Sequence, residues 1–328
     1  MKLIKKAIKT VIYAFVVLAI CFAVDKIDVQ AALAQATDGN WYYYNNGSID
    51  TNFTSVVQNE YGWWRVKNGM VDFSYTGVAQ NQNGWWRIRN GKVDFSYTGI
   101  AQNEYGWWRI VNGKVDFSYT GVAQNEYGWW RVQDGCVNFG YNGLAQNEYG
   151  WWYIKNGKVD FCYNGVAQHT NGYWAIKNGK VDFSCNDAID SCGAFWRATN
   201  GYATKIDDFE LLTAMLYCEA VGEPDEGKKA VVSVIENRKN STSFPNTYYE
   251  VLTQKGQFSP YKDGKLARVL KNKEWIGTNC EQIVEDVVLN GVTGDWLYFW
   301  SLNYYNSVPV EKKPAYELTT TIGNQIFW

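Results

Sequence analysis

The most regular feature of the chain is a 22-residue pattern of aromatic, apolar and polar positions. Each copy opens with glutamine and runs close to Gln-Asn-Glu-Tyr-Gly-Trp-Trp-Arg-Val-x-Asn-Gly-Lys-Val-Asp-Phe-Ser-Tyr-Thr-Gly-Val-Ala. The opening glutamines are Gln58, Gln80, Gln102, Gln124, Gln146 and Gln168. A degenerate copy precedes them and a truncated copy follows. The constant period predicts a β-hairpin repeat array over residues 36–206, with atypical end units that cap it.

Each repeat predicts a hairpin made of an apolar and aromatic run, an Asn-Gly turn and a second β-prone run. Asn-Gly supplies the two positive φ angles that a two-residue hairpin turn requires. Neighbouring side chains in a strand point to opposite faces, so alternation assigns each residue to one face. It places Trp64, Val66, Val71 and Phe73 together, and we predict that they form the core on which repeats stack.

The opposite face of each repeat carries one further tryptophan. These residues are Trp63, Trp85, Trp107, Trp129 and Trp151. A ladder of indoles at constant pitch suits stacking on sugar rings or capture of quaternary ammonium groups by cation–π attraction. The alternative is that both indoles of each pair are structural, one of them packing on the neighbouring turn of the array.

From Asp207 the period stops and helix-forming residues dominate, which indicates a separate domain over residues 207–328. Asp207 or Asp208 can cap a helix in which Leu212, Met215 and Leu216 form a buried stripe. The next position of that stripe is Glu219. A carboxyl group on a buried face has a raised pKa, which suits a general acid. The alternative is a structural carboxylate paired with Arg238 or Lys228.

Weaker patterns fill the rest of this domain. Gly222 and Pro224 end the first helix beside Glu223. Later segments are predicted as helices at 225–238 and 279–289, a loop at 256–260, and short strands at 295–300 and 318–327.

The first 34 residues are typical of an export signal. A lysine-rich start precedes an apolar run from Val11 to Val24, which is short for a membrane-spanning helix, and small residues follow near Ala34. An uncleaved signal anchor is the alternative. Both interpretations place the rest of the chain outside the cell.

The amino-acid composition limits the catalytic mechanisms that the chain can use. The chain has 17 Trp and 24 Tyr but a single histidine, His169, and its six cysteines after residue 34 show no Cys-x-x-Cys pair. Zinc hydrolysis and nucleophilic catalysis by a Ser-His or Cys-His pair are therefore disfavoured, and no metal or cofactor is expected. The net charge of −2 argues against a nucleic-acid partner. Catalysis must depend on carboxylates, tyrosines, lysines or the backbone.

The repeats resemble the choline-binding and glucan-binding cell-wall repeats of Gram-positive surface proteins, in which aromatic hairpins carry Asn-Gly and then Thr-Gly. The resemblance implies a wall polymer or glycan as partner, possibly choline-bearing. In the choline-binding pattern an aromatic residue usually follows Thr-Gly. Here Val78, Ile100 and Val122 follow it, so another wall polymer is as good a candidate as choline.

The C-terminal region is similar to the spore-cortex-lytic cell wall hydrolases of the SleB/CwlJ type. The motifs that carry this resemblance are Tyr217-Cys218-Glu219-Ala220-Val221-Gly222-Glu223-Pro224, Asn237-Arg238, Phe244-Pro245-Asn246-Thr247, Gly256-Gln257-Phe258-Ser259-Pro260, Leu297-Tyr298-Phe299 and Thr321-Ile322-Gly323-Asn324. One departure is Gln325, where members of the family often have histidine. The resemblance implies a small, mainly helical, lysozyme-like domain that cuts the β-1,4 bond after N-acetylmuramic acid in peptidoglycan, in growing cells or in spores.

Glu219 then becomes the expected catalytic acid. Residues expected to contact the glycan are Glu223, Gln257, Ser259, Tyr298 and Asn324. Most glycosidases add a second carboxylate, whereas a lytic transglycosylase needs none because the C6 hydroxyl of the sugar attacks. No second carboxylate shares the apolar stripe, which favours transglycosylation. A hydrolytic N-acetylmuramidase that uses Glu223, or a non-enzymatic surface adhesin, remains the alternative.

Overall fold

The computed structural model describes residues 31–328. Each 22-residue repeat forms three short strands. The described chain forms two compact units, the first ending at Asn138 and the second starting at Phe139. Of the predicted export segment, residues 1–30 lie outside the described part. Ala31–Gln35 is a strand that pairs with Trp41–Asn45, so a cleavage near Ala34 would remove most of it.

The strands of the array fall into three sets. First strands are Ala31–Gln35, Ser55–Asn59, Gly77–Asn81, Gly99–Asn103, Gly121–Asn125, Gly143–Asn147, Gly165–His169 and Ala188–Ser191. Second strands are Trp41–Asn45, Gly62–Lys67, Gly84–Arg89, Gly106–Val111, Gly128–Gln133, Gly150–Lys155, Gly172–Lys177 and Ala194–Thr199. Third strands are Ser48–Ile49, Met70–Val71, Lys92–Val93, Lys114–Val115, Cys136–Val137, Lys158–Val159, Lys180–Val181 and Tyr202–Lys205.

The longest pairing in every repeat except the last is one that the sequence analysis missed. Ser55–Asn59 pairs antiparallel with Gly62–Val66, so that Glu60 and Tyr61 form a two-residue turn. The predicted Asn-Gly turn is also present, with φ of 51° at Asn68 and 78° at Gly69. The predicted hairpin is therefore the shorter half of a three-stranded unit.

The predicted stacking core is correct except for Phe73. Val66 and Val71 are buried, whereas 48% of Phe73 is exposed. Regular alternation ends at Val71, because the carboxylate of Asp72 accepts hydrogen bonds from the backbone and side chain of Ser74 and its carbonyl accepts from the Tyr75 N–H. This turn rotates Phe73 away from the core.

Within each unit, successive repeats are joined through the second strand of one and the third strand of the next. In the first unit Trp64 pairs with Lys92, and the Arg65 N–H donates to the Gly91 carbonyl at 2.7 Å. The junctions within a unit enclose small apolar clusters; one consists of Val56, Trp86, Ile88 and Val93. A repeat therefore completes its core only when its neighbour is present.

The second unit contains the last repeats and a mainly helical domain, residues 207–328. Its helices are α1 (Asp208–Ala220), α2 (Asp225–Asn240), α3 (Tyr248–Thr253), α4 (Ser259–Lys262), α5 (Lys265–Asn272), α6 (Cys280–Asn290) and α7 (Leu302–Ser307). Strands Phe299–Ser301, Thr320–Ile322 and Gln325–Phe327 form a small antiparallel sheet with Gln325–Phe327 in the centre. The three predicted helices are confirmed as α1, α2 and α6, and the predicted fold class is confirmed for both regions. Helices α3, α4, α5 and α7 were not predicted.

The last hairpin, residues 188–205, packs into the core of the helical domain. Phe195 is buried in the same apolar cluster as α1 and α2. Arg197 donates two hydrogen bonds to the Glu210 carboxylate, at 2.6 and 3.0 Å, and a third to the Leu270 carbonyl at 2.8 Å. Asp190 accepts from the hydroxyls of Tyr249 and Tyr261 at 2.7 and 2.9 Å. The helical domain is thus completed by a piece of the array.

Candidate active site and repeat clefts

Glu219 is the second-to-last residue of α1, so its position is set by where this helix begins and by which face of it is buried. Asp207 caps the helix, its side chain accepting a hydrogen bond from the Glu210 N–H at 2.8 Å. Leu212, Met215 and Leu216 are fully buried as predicted. The same face brings Glu219 to a partly buried position at the edge of the core.

Burial raises the pKa of the Glu219 carboxyl to about 7; the positive charge of Lys265 lowers it and the negative charge of Asp263 raises it. Among the described residues 31–328, no hydrogen bond or ion pair to the Glu219 carboxylate is present. A carboxyl group with this pKa is protonated in about half of the molecules near neutral pH. It can therefore deliver a proton to a leaving group and then take one back.

The pairing of Glu219 with Arg238 or Lys228, which the structural alternative required, is absent from the structure. Arg238 is buried and donates to the Leu297 carbonyl at 2.7 Å, with its guanidinium among aromatic rings. Lys228 donates to Asn279 at 2.8 Å and lies 3.5 Å from Asp225. Neither cation pairs with Glu219.

Lys265 is a charged neighbour of Glu219 that the sequence did not predict. Its Nζ donates to the Cys218 carbonyl, in the last turn of α1, at 2.6 Å. Its backbone N–H donates to the Asp263 carboxylate at 2.9 Å, and Gly264 precedes it with a φ of 79°. In the sequence, the only local indication of this turn is the Asp263-Gly264 pair. Lys265 links the loop after α4 to the end of the helix that carries Glu219.

Glu223 is occupied by a structural contact. Its carboxylate accepts the Asn324 N–H at 2.8 Å and the Asn324 side-chain amide at 3.4 Å. Gly323 has a φ of 59° and lies so close to Glu223 and Pro224 that a Cβ would clash with both. Glu223 and Asn324 are therefore brought together, but they hold the turn between the last two strands.

Gln325, which occupies the place of the family's histidine, lies beside the catalytic helix. It is buried, and its side-chain amide is 3.4 Å from the Glu219 carbonyl. Its side-chain oxygen is buried without a hydrogen-bond partner. Gln325, at the position of the family's histidine, therefore contacts the backbone of Glu219, the expected catalytic acid.

The other predicted glycan contacts lie on two separate segments. Gln257 and Ser259 are exposed on the loop and first turn of α4, next to the buried Phe258. Tyr298 is 39% exposed and stacks on Trp328 with ring centroids 5.6 Å apart. These side chains are accessible, and no hydrogen bond of theirs to Glu219 is present in residues 31–328.

In the array, four of the five predicted ladder tryptophans pack against the next repeat. The ring centroids of Trp63 and Trp86 are 5.0 Å apart, as are those of Trp85 and Trp108, and Trp107 lies 5.2 Å from Trp130. Trp151 contacts His169 at 4.6 Å. Both indoles of a pair are at least partly buried. The ladder residues therefore contribute to stacking while one edge remains accessible.

Beside these indoles the repeats form clefts. In the first unit a cleft of about 220 Å³ is lined by Arg87, Tyr97, Gln102, Trp107, Glu126 and Tyr127, among others. The exposed Tyr127 ring lies 5.9 Å from the Trp107 ring. An equivalent cleft of about 370 Å³ lies beside Tyr43, Phe53 and Trp63. Both combine aromatic faces with amide groups.

In residues 31–328 no group of three or more His, Cys, Asp or Glu side chains is arranged to hold a metal ion. The six cysteines of this part of the chain are free thiols. None of its helices has the length and apolar character needed to cross a membrane.

Comparison with known families agrees with both halves of the structure. Residues 222–328 match a family described as cell wall hydrolase, and seven segments between residues 33 and 182 match a family described as choline-binding repeat. The C-terminal region is therefore a cell wall hydrolase domain, and the array is built of repeats that match the choline-binding-repeat family. The hydrolase match begins three residues after Glu219.

The relatives are spore cortex-lytic enzymes. The enzyme from Oceanobacillus iheyensis is 30% identical over 126 residues, which is 37% of this chain and 41% of the relative. The enzyme from Bacillus cereus is 32% identical over 123 residues, 37% of this chain and 44% of the relative. The chain thus spans less than half the length of these relatives. The catalytic domain of the germination-specific lytic transglycosylase SleB from Bacillus anthracis is 29% identical, with 40% of this chain and 98% of that chain covered and a TM-score of 0.30.

Proposed function

We propose that the chain is a secreted lytic transglycosylase that cuts the β-1,4 bond between N-acetylmuramic acid and N-acetylglucosamine in peptidoglycan. Glu219, in its protonated form, donates to the glycosidic oxygen as positive charge develops on the sugar. The resulting carboxylate then takes the proton of the C6 hydroxyl, which closes a 1,6-anhydro ring. The observation that carries this proposal is the raised pKa of a carboxyl group that accepts no hydrogen bond and forms no ion pair within residues 31–328.

Transglycosylation is favoured over hydrolysis because Glu223 is unsuited to a second catalytic role. A nucleophile or base needs a carboxylate that can approach the anomeric carbon or its water. The carboxylate of Glu223 instead accepts two hydrogen bonds from Asn324. Asp263, whose charge acts on Glu219, is exposed and caps the turn that leads into α5.

Product analysis tests this assignment. Purified peptidoglycan digested by the protein should yield 1,6-anhydro-muramyl ends, detected by mass spectrometry, and no new reducing ends. Glu219→Gln should abolish lysis while the helical circular dichroism stays unchanged. Glu223→Gln and Asp263→Asn should both retain anhydro products. Reducing ends from the parent protein, lost in Asp263→Asn, would instead establish a hydrolytic muramidase.

The repeats are proposed to hold the enzyme on the cell wall, through a wall polymer or glycan. Their support is the match to choline-binding repeats and the aromatic clefts that recur along the array. The Glu219→Gln protein, which cannot release itself by digestion, should sediment with purified cell walls. Recovery of the protein in the supernatant would contradict the anchoring role.

A further inference from the structure

The last hairpin, residues 188–205, differs from the regular repeats at the positions that face the helical domain. In the six regular repeats the opening glutamine pairs across the first turn with an aromatic residue, as Gln80 pairs with Trp85. In the last hairpin the corresponding pair is Asp190 with Phe195. The hairpin also lies between the two family matches, after residue 182 and before residue 222. Neither matched segment therefore includes Asp190.

Asp190 links two tyrosines of the helical domain. One oxygen of its carboxylate accepts a hydrogen bond from the Tyr249 hydroxyl at 2.7 Å, and the other accepts from the Tyr261 hydroxyl at 2.9 Å. The centroid of the buried Phe195 ring lies 6.1 and 6.3 Å from those of the same two tyrosines. The hydrogen bond to Asp190 raises the pKa of the Tyr261 hydroxyl, which therefore keeps its proton and donates. A carboxylate offers each hydroxyl its own acceptor oxygen, whereas the glutamine of the regular repeats has only one.

Helix α4, which carries Tyr261, is too short to hold its place alone. It has four residues and begins at Ser259 without a side-chain cap, and a single helical turn has little stability of its own. The buried Phe258 and Pro260 anchor it by apolar packing. Within residues 31–328, the bond from Tyr261 to Asp190 is the only side-chain hydrogen bond that α4 makes. Asp190 therefore supplies the polar anchor of this helix.

Helix α4 lies between two parts of the candidate active site. Gln257 and Ser259, the proposed glycan contacts, lie just before and at its start. Its end leads through a two-residue turn to Lys265, whose Nζ donates to the Cys218 carbonyl at 2.6 Å, beside Glu219. A shift of α4 would move both parts. The hairpin of the array therefore reaches the active site through one short helix.

We infer that Asp190, a residue of the repeat array, is a positioning residue for the hydrolase domain. Through Tyr261 it fixes α4, and with it the substrate contacts at the start of that helix. This inference rests on the proposed function, because Gln257 and Ser259 are contacts for the glycan of that reaction. It gives the last repeat a direct part in substrate binding by the enzyme.

Steady-state kinetics on the full-length protein test the inference, with soluble glycan strands from peptidoglycan whose cross-links have been cleaved. Tyr261→Phe removes only the hydroxyl that ties α4 to Asp190. It should raise KM about fivefold with kcat unchanged, which corresponds to the loss of one hydrogen bond of about 1 kcal/mol. The matched control, Tyr249→Phe, removes the other hydroxyl on the same carboxylate and should leave KM unchanged. Asp190→Ala should raise KM as Tyr261→Phe does, and combining the two changes should add nothing further.

Hydrogen–deuterium exchange gives a second readout that does not depend on activity. The Asp263 N–H donates to the Ser259 carbonyl at 3.0 Å, so exchange of this amide reports whether α4 is held in place. Exchange should be about fivefold faster in Tyr261→Phe and in Asp190→Ala, by the same hydrogen-bond arithmetic, and unchanged in Tyr249→Phe.

Two outcomes would overturn the inference. One is an Asp263 amide that exchanges equally fast in the parent and in Tyr261→Phe, and the other is an equal KM in the two tyrosine variants. Failure of the parent protein to cleave any glycan would instead refute the proposed function. The exchange rates would still decide whether Asp190 fixes α4.

Discussion

Replacing Glu219 by glutamine should make the hydrolase domain more stable, by an amount that depends on pH. The pKa of this carboxyl is raised from its ordinary value of 4.5 to about 7 by burial. Each pKa unit corresponds to about 1.4 kcal/mol, so the ionised carboxylate costs the folded state about 3 kcal/mol. Glutamine has nearly the same shape and carries no charge, so it removes this cost.

The direction in which stability changes with pH follows from proton binding by Glu219 in the folded and unfolded states. Between pH 4.5 and 7 the folded state holds a proton on Glu219 that the unfolded state has lost, so the parent's free energy of unfolding falls as pH rises through this window. Below pH 4.5 Glu219 is protonated in both states, and the parent's free energy of unfolding carries no penalty from this residue. Above pH 7 the carboxyl is ionised in both states, and the full penalty of about 3 kcal/mol applies. The stability gain of Glu219→Gln should therefore be small at pH 4 and about 3 kcal/mol larger at pH 8.

Denaturant unfolding followed by the helical circular dichroism signal is the assay, because the helices of residues 31–328 all lie in this domain. The matched control is Glu285→Gln, which replaces an exposed glutamate on α6 and should not reproduce the stability gain of Glu219→Gln. A stability difference between Glu219→Gln and the parent that stays constant from pH 4 to pH 8 would refute a buried, proton-holding Glu219.

Three further changes test the surroundings of the site. Lys265→Met should raise the pKa of Glu219, so that the fall in lysis rate at alkaline pH moves to higher pH. With a pKa of about 7 the rate at pH 8 is roughly one tenth of the rate at pH 6, and this ratio should be larger in Lys265→Met. The control Lys262→Met should leave the ratio unchanged. Arg197→Met should cost about 2 kcal/mol of unfolding free energy in denaturant titrations, because it removes two hydrogen bonds from the partly buried Glu210 carboxylate, which keeps only Lys273 at 3.5 Å, and one from the Leu270 carbonyl; a loss below about 0.5 kcal/mol would show that the hairpin is not part of the domain. Gly323→Ala should destabilise the domain by about 2 kcal/mol or more, because it adds a Cβ at positive φ against packed atoms; an unchanged thermal midpoint would contradict this packing.

The features that could be predicted from sequence are those fixed by local signals. Helix α1 follows from the cap at Asp207 and the three-and-four spacing of its apolar residues, and that spacing also places Glu219. The Asn-Gly turns follow from backbone preferences of two adjacent residues. These signals act within a few residues, so a single sequence contains them completely.

The features that were missed depend on partners distant in sequence or on competing turns. Ser55–Asn59 is a strand because it pairs with Gly62–Val66, although its own pattern is short and only half apolar. Phe73 leaves the core because the Asp72 side chain favours a turn over further alternation. Lys265 meets the end of α1 across 47 residues of sequence, and no local pattern records such a contact.

The packing of the last hairpin into the helical core has a consequence for how such chains can be recombined. The sequence period places the domain boundary near residue 206, but Phe195 and Arg197 belong physically to the enzyme. An exchange of repeats that joins the array ahead of residue 188 would change the number of repeats and leave the fold of the hydrolase domain complete. A junction at residue 206 would instead expose the apolar surface that Phe195 covers. The last hairpin thus acts as a fixed adaptor, onto which arrays of different length can be grafted without redesigning the enzyme.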